Sequence, residues 1–333
     1  SSKRLKIFEV IKKTGSHILF EKPLANNFKR NFQVIIWDNL SRGKYDFYFK
    51  NLIRHKNIKF VRKDLSKKIT DNIRGIKYIF HLAGSVGVEN INQNPLNAFL
   101  NNTLACKNVI RFSNKLKEKS KIILFSTSEV YSPLIKKNKV KFPIKEENDI
   151  LIENKIIPRD SYYLSKIFNE KLVQLSKNDY LIIRPHNIYG PRMGYSHVIP
   201  NFIKKIFLEK KKITKKSSVF SPQHKRAFCY IDDAIEQIVS LALNPKTNNQ
   251  IFNIGNMTQE IKIIDLAKKI KNLVYKKSNL INGQITKGSP LRRVPNMNKT
   301  IKKTKIKKFI NLDKGLFQTI NWYLNDIKKK YEK

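Results

Sequence analysis

Acidic side chains are scarce in this sequence: 25 Asp and Glu stand against 68 Lys and Arg over 333 residues, a formal net charge of +43. Cysteine is scarcer still. Cys106 and Cys229 are the only two, neither in a Cys-x-x-Cys pair nor near two histidines, which excludes a disulfide framework and a Cys/His zinc site. Both thiols are expected to be small buried hydrophobes, and no metal is expected. Long apolar runs are missing as well. No stretch reaches the 18 or so residues that span a bilayer, and residues 1–13 carry charges where a signal peptide has its apolar core. A cytoplasmic location without membrane insertion is therefore expected. Apolar content itself is ample: 41% hydrophobic and 11% aromatic residues are too many for a disordered basic tail. The length suits two domains or one large α/β unit.

An excess of positive charge concentrates polyanions at a surface, nucleic acid among them. Here the lysines are spread through the whole sequence alongside abundant Ile and Asn, as drift toward A/T-rich codons gives, and no nucleic-acid-binding module signature is present. The expected partner is an anionic small molecule, with no specific nucleic acid.

Short β-branched runs at 5–10, 32–37, 58–61, 78–83, 122–126 and 180–185 alternate with helical patterns at 95–116 and 161–175, the mark of a parallel sheet with crossover helices. Most of these runs are apolar on both faces, as strands covered by helices on each side should be. Beyond them the pattern changes to longer helices at 198–209, 232–243, 261–274 and 312–325. The predicted class is α/β: a Rossmann-type doubly wound parallel sheet over 1–185, with a smaller α/β substrate domain over 186–333. The basic, proline-bounded stretch 133–158 reads as a long loop over the site.

Tyr162 and Lys166 stand four apart at the start of a predicted helix, so both side chains project from one face. Upstream, Ser126-Thr127-Ser128-Glu129 follows the carboxyl end of the 122–126 strand, the end where open α/β sheets bind ligands. Tyr-x-x-x-Lys alone is a weak signal, and its weight comes from that sheet context. With Asp38-Asn39-Leu40-Ser41, Phe80-His81-Leu82-Ala83, Ser126-Thr127-Ser128-Glu129-Val130-Tyr131 and Arg184-Pro185-His186-Asn187-Ile188-Tyr189-Gly190-Pro191-Arg192, the sequence resembles the extended short-chain dehydrogenase/reductases. Within them it looks like the nucleotide-sugar epimerase, dehydratase and decarboxylase branch. Arg226-Ala227-Phe228-Cys229-Tyr230-Ile231-Asp232-Asp233, Phe252-Asn253-Ile254-Gly255 and Arg292-Arg293-Val294-Pro295-Asn296 are similar to the sugar-nucleotide half of that branch.

The resemblance implies transient oxidation of a UDP-sugar at C4 by tightly held NAD. Tyr162 would be the base, its phenol, ordinarily near pKa 10, drawn toward phenolate by the Lys166 ammonium. Thr127 would hydrogen-bond the reacting hydroxyl, with Glu129 as the carboxylate behind it, and Lys166 would also hold the nicotinamide ribose. On the cofactor side the resemblance implies Gly15 in the phosphate turn and Asp38 with Asn39 at the adenosine ribose. Asp64 and Leu65 would lie at the adenine, Leu82 and Ala83 along the cofactor wall, and Asn102 as a buried polar residue beside it. A carboxylate at Asp38 favours NAD over NADP. Asn187, Arg226, Arg292 and Arg293 would contact the UDP of the substrate, guanidinium forks being suited to phosphate oxygens. Pairing of the 95–116 and 161–175 helices would make a homodimer.

The sequence departs from this pattern where the family carries G-x-x-G-x-x-G. Aligning Gly15 with the last glycine puts Glu9 and Lys12 at the other two and Pro23 inside the following helix. Either NAD binding is impaired, or the first fourteen or so residues are not the native ones, the latter being the expectation. As for the reaction, Ser128 stands where a dehydratase needs Asp, which disfavours dehydration. The expected activity is UDP-sugar 4-epimerisation, of the kind found in polysaccharide biosynthesis. UDP-glucuronate decarboxylation is the alternative, and a non-catalytic nucleotide-sugar-binding relative is the alternative of another class.

Overall fold

The computed structural model describes residues 17–20, 32–41 and 45–331. A seven-stranded sheet is built from β1 (His17–Phe20), β2 (Gln33–Asp38), β3 (Ile58–Arg62), β4 (Ile76–His81), β5 (Lys121–Phe125), β6 (Asp179–Pro185) and the strand Gln250–Ile254. Their order is Gln250–Ile254, β6, β5, β4, β1, β2, β3. The pairings β3/β2, β2/β1, β1/β4, β4/β5 and β5/β6 are all parallel. Four consecutive residues are buried in each of β2 and β5, the pattern of strands covered on both faces. The chain runs outward from β1 to β3, then returns to place β4 on the other side of β1. That reversal makes the carboxyl ends of β1 and β4 the place where such sheets take ligands.

The first strand differs from expectation. The 5–10 stretch lies outside the described residues, and His17–Phe20 fills the central slot between β2 and β4. Gly15, also outside the described residues, therefore precedes this strand in the chain, whereas a phosphate-cradling glycine follows one. The physical reason is local: Ile18-Leu19-Phe20 is a short apolar run, a composition compatible with a strand in the middle of a parallel sheet.

The chain divides into two compact units. One comprises residues up to Val130, Ile152–Arg184 and Ala242–Phe252; the other comprises Tyr131–Leu151, Pro185–Leu241 and the chain from Asn253. In the first, the helices Pro95–Ser113 and Asp160–Gln174 pack on each other and on the sheet, with Cys106, Ile122, Leu124, Val173 and Ile182 in one buried cluster. Burial pushes the Cys106 thiol up to about 12, so it is inert. In the second, the helices Val198–Lys210, Ile263–Val274 and Leu312–Tyr331 enclose a core that includes Phe202, Ile206, Leu266, Ile270, Leu316 and Tyr323. Gly315 is required there, because a Cβ at that position would sit 2.1 Å from the Tyr189 hydroxyl. The 133–158 stretch is more than a loop: it enters through the helix Ser132–Lys136, and Ile144 forms a parallel bridge with Pro295.

Candidate active site

The first unit carries the tyrosine, lysine and threonine. Thr127 lies two residues past β5, and its Oγ1 accepts the Glu129 amide at 3.2 Å. The Asp160–Gln174 helix presents Tyr162 and Lys166 one turn apart. Lys166 is buried, donates its ammonium to the Phe125 carbonyl at 2.9 Å, and lies 5.9 Å from the centre of the Tyr162 ring. Arg159, one turn before Tyr162 on the same face, pairs with Glu129 at 3.4 Å. Thr127, Glu129, Tyr162 and Lys166 are thus linked through Phe125 and Arg159.

One side chain that the motifs did not flag holds this group together. Glu170, one turn beyond Lys166, is fully buried and takes a bidentate pair from Arg184 on β6, 3.0 Å from Nε and 2.7 Å from Nη2. The same carboxylate accepts the hydroxyl of Ser126, the residue before Thr127. One buried carboxylate therefore ties the Tyr162 helix to both β6 and the Thr127 strand end. A glutamate four residues after the lysine was the available signal, but mid-helix glutamates usually face water.

On the cofactor side, the residues present fit a dinucleotide. Asp38 ends β2, with Oδ1 accepting the Leu40 amide at 2.7 Å, and the exposed Asn39 accepts the Ser41 amide. Asp64 Oδ1 takes both the amide and hydroxyl of Ser66. Leu65 turns into the core beside Trp37 and Phe112. Leu82 and Ala83 follow β4, half-buried. Asn102, fully buried, clamps the next turn by accepting the Ser85 amide at 2.5 Å and donating to Ser165 Oγ at 3.0 Å. Gly84 supplies the test of fit. It is exposed, and a Cβ there would meet Asn102 Oδ1 at 3.0 Å and reach within 3.5 Å of Lys166 Nζ. Bare backbone beside the ammonium leaves the approach that a ribose hydroxyl needs. His81, behind this turn, is buried with neither ring nitrogen hydrogen-bonded among the described residues. Burial first, then the Lys166 charge, pushes its pKa down to about 3, so the imidazole is neutral.

The second unit gathers the other four expected residues around the strand Lys225–Ala227. Arg293 is the parallel register partner of Arg226, and Arg292 of Lys225. Asn187, at φ 41°, donates to the Ala227 carbonyl at 3.3 Å. Arg226 is buried, and its guanidinium donates to the carbonyls of Lys225, Pro290 and Leu291 and to Ser289 Oγ. It clamps the 289–291 turn. Arg292 forms a bidentate pair with Glu260, at 2.7 and 2.8 Å, and stacks 5.0 Å from the Phe142 ring centre. Arg293 is buried.

The model of the family described as "NAD dependent epimerase/dehydratase family" matches residues 23–255, well over half of the chain. A UDP-N-acetyl-alpha-D-glucosaminuronate decarboxylase of Bacillus cytotoxicus is 29% identical over 325 residues, covering 93% of this chain and 94% of that protein. A putative UDP-glucose 4-epimerase of Methanocaldococcus jannaschii is 29% identical over 324 residues, covering 94% and 95%. The solved UDP-glucose 4-epimerase of Thermotoga maritima, with UDP-glucose, superposes with a TM-score of 0.77 over 93% of this chain and 99% of that one; at 21% identity the likeness concerns the fold. The chain is an enzyme of the NAD-dependent epimerase/dehydratase family, with NAD as its cofactor.

Proposed function

We propose that the chain oxidises a UDP-linked sugar at C4, and that the favoured fate of the resulting ketone is loss of a C6 carboxylate as carbon dioxide. The observation that carries the C4 chemistry is the buried Lys166 ammonium, fixed on the Phe125 carbonyl one turn from Tyr162. NAD, when bound, supplies the acceptor for the C4 hydride and its return, and Asp38 and Lys166 are the residues that would hold its ribose hydroxyls. Tyr162 takes the O4 proton as phenolate and later gives it back. Thr127 holds the O4 hydroxyl in line. Once C4 is a ketone, the C5–C6 bond breaks toward it, the electron pair moves onto the carbonyl oxygen, and C5 is reprotonated.

Arg159 supports the uronate reading. It places a guanidinium beside Glu129, one turn from Tyr162, and a guanidinium is the group suited to a carboxylate. The Bacillus relative, by its name, acts on such a sugar acid. A second reading, 4-epimerisation, is favoured by the Methanocaldococcus relative. It needs no C6 carboxylate. The second unit is the nucleotide-sugar-binding part on this proposal, with Arg293 and Asn187 toward the UDP and Arg226 and Arg292 shaping the loops around them.

Incubation with UDP-glucuronate, UDP-N-acetylglucosaminuronate, UDP-glucose and UDP-N-acetylglucosamine, followed by proton NMR, tests both readings. Pentose products with carbon dioxide support decarboxylation, and an inverted C4 without mass loss supports epimerisation. No turnover of any of the four would refute both and leave a non-catalytic binder. A homodimer is part of the proposal, because Leu96, Leu100 and Leu104, spaced by four, and Phe168 on the adjoining helix all stand exposed.

A further inference from the structure

The scarcity of acid is not uniform: no Asp or Glu occurs between Glu209 and Asp232, nor between Asp265 and Asp313. In the second unit these two stretches meet, because the strand Ser217–Val219 pairs in parallel with Leu280–Asn282. Glu209 is spent internally, accepting from Ser217, Ser278 and Asn279. At one end of the strand pair, Lys210, Lys211, Lys212, Lys215 and Lys216 are exposed in the run that leads into Ser217. Lys276 and Lys277 are exposed in the run that leads into Leu280.

Large apolar side chains stand out beside both ends of this short strand pair. Ile213, in the middle of the lysine run, is 59% exposed; Phe220 and Ile285, at the other end of the strand pair, are 50% and 72% exposed. Val219 pairs with Asn282, so Phe220 stands opposite Gly283, and a side chain there would lie 3.1 Å from the ring. Glycine leaves the ring space to lie flat. Ile285, two residues on, falls on the same side by the alternation of an extended chain. Lys205 packs its ammonium 5.0 Å from the Phe220 ring centre.

We infer that this patch docks the protein on an anionic lipid surface, with the lysines at the headgroups and Ile213, Phe220 and Ile285 in the interfacial layer. Charge alone would suit any polyanion. The two isoleucines decide between them, since exposed branched aliphatic tips gain nothing from a phosphodiester backbone but do gain at the boundary of headgroup and acyl chain. The attraction is peripheral: no described helix is long and apolar enough to cross a membrane. Because it rests on charge, it weakens as salt shortens the screening length.

The test is cosedimentation of the full chain with vesicles of phosphatidylcholine alone or with about 30% phosphatidylglycerol, in low and high salt. The expected result is binding to the mixed vesicles only, released by salt. Lys210, Lys211, Lys212, Lys215 and Lys216 changed together to Gln should lose about tenfold or more in affinity. Ile213→Ser with Ile285→Ser, at unchanged charge, should lose several-fold. Five exposed lysines of the first unit, Lys67, Lys68, Lys107, Lys117 and Lys119, changed to Gln remove the same charge and should matter little. The inference is overturned by equal binding to both vesicle types or by an unchanged isoleucine variant. It is equally overturned by a first-unit variant that loses as much as the patch variant.

Discussion

Replacing Glu170 by Ala puts the architecture of the first unit under direct strain. The substitution removes the carboxylate that accepts two hydrogen bonds from Arg184 and one from Ser126. Arg184 is 2% exposed and Glu170 not at all, so water cannot take over the lost contacts without opening the core. Breaking such a pair from one side costs about 3–5 kcal/mol. Against a total stability of about 5–15 kcal/mol for a typical domain, that is a large share, and more than a hundredfold in the folding equilibrium. Trp37 lies in the first unit and Trp322 in the second, so Trp37 fluorescence in a Trp322→Phe background follows the right unit through a urea titration. The Glu170→Leu, Arg184→Met double variant should return to within about 1–2 kcal/mol of the parent, because two matched apolar groups carry no stranded charge. A loss below about 1 kcal/mol in Glu170→Ala, or a double variant as weak as the single, would refute the reasoning.

Three further outcomes are expected. Tyr162→Phe should abolish turnover while UDP-sugar affinity, read by calorimetry, stays nearly unchanged; a variant keeping more than about a tenth of the rate would remove Tyr162 as the base. His81 titrates far below the ordinary value of 6.5 in the folded state. As pH falls below about 6.5 the unfolded chain takes up a proton that the folded one refuses, and stability drops by about 1.4 kcal/mol per unit from this group. His81→Leu should lack that component, and parallel stability curves for the two proteins between about pH 6.5 and 4.5 would contradict it. Sedimentation velocity should find a dimer at micromolar concentration and a monomer for Leu100→Glu with Leu104→Glu; a monomeric parent would sink the dimer.

What was legible in the sequence follows from the range over which each feature is determined. Most of the runs that became β2 to β6 are apolar on both faces, as the four consecutive buried residues of β2 and of β5 reflect, and this local pattern suffices for a buried parallel strand; β3, with Lys59 and Arg62 exposed, is the exception. The helices of the second unit were legible as longer helical patterns at 198–209, 261–274 and 312–325, and Val198–Lys210, Ile263–Val274 and Leu312–Tyr331 begin within two residues of those stretches, the last running on to Tyr331. The first strand was not legible, because four residues, His17–Phe20, are too short to separate a strand from a helical turn by period alone. Polar side chains show the same limit more sharply. The family resemblance assigns Arg226 and Arg292 to the UDP of the substrate, a guanidinium being suited to phosphate. In the fold, Arg226 donates to the carbonyls and hydroxyl of its own turn, and Arg292 grips Glu260. Glu170 belongs to none of the motifs, yet it is the carboxylate on which Ser126 and Arg184 converge. A side chain's donors and acceptors are visible in sequence, but their partners come from residues 14 and 44 positions away and are chosen only when the sheet brings them together. The shared helix face of Tyr162 and Lys166 was legible because the two are neighbours on one helix, and what holds them in register with Thr127 was not, because it crosses three elements.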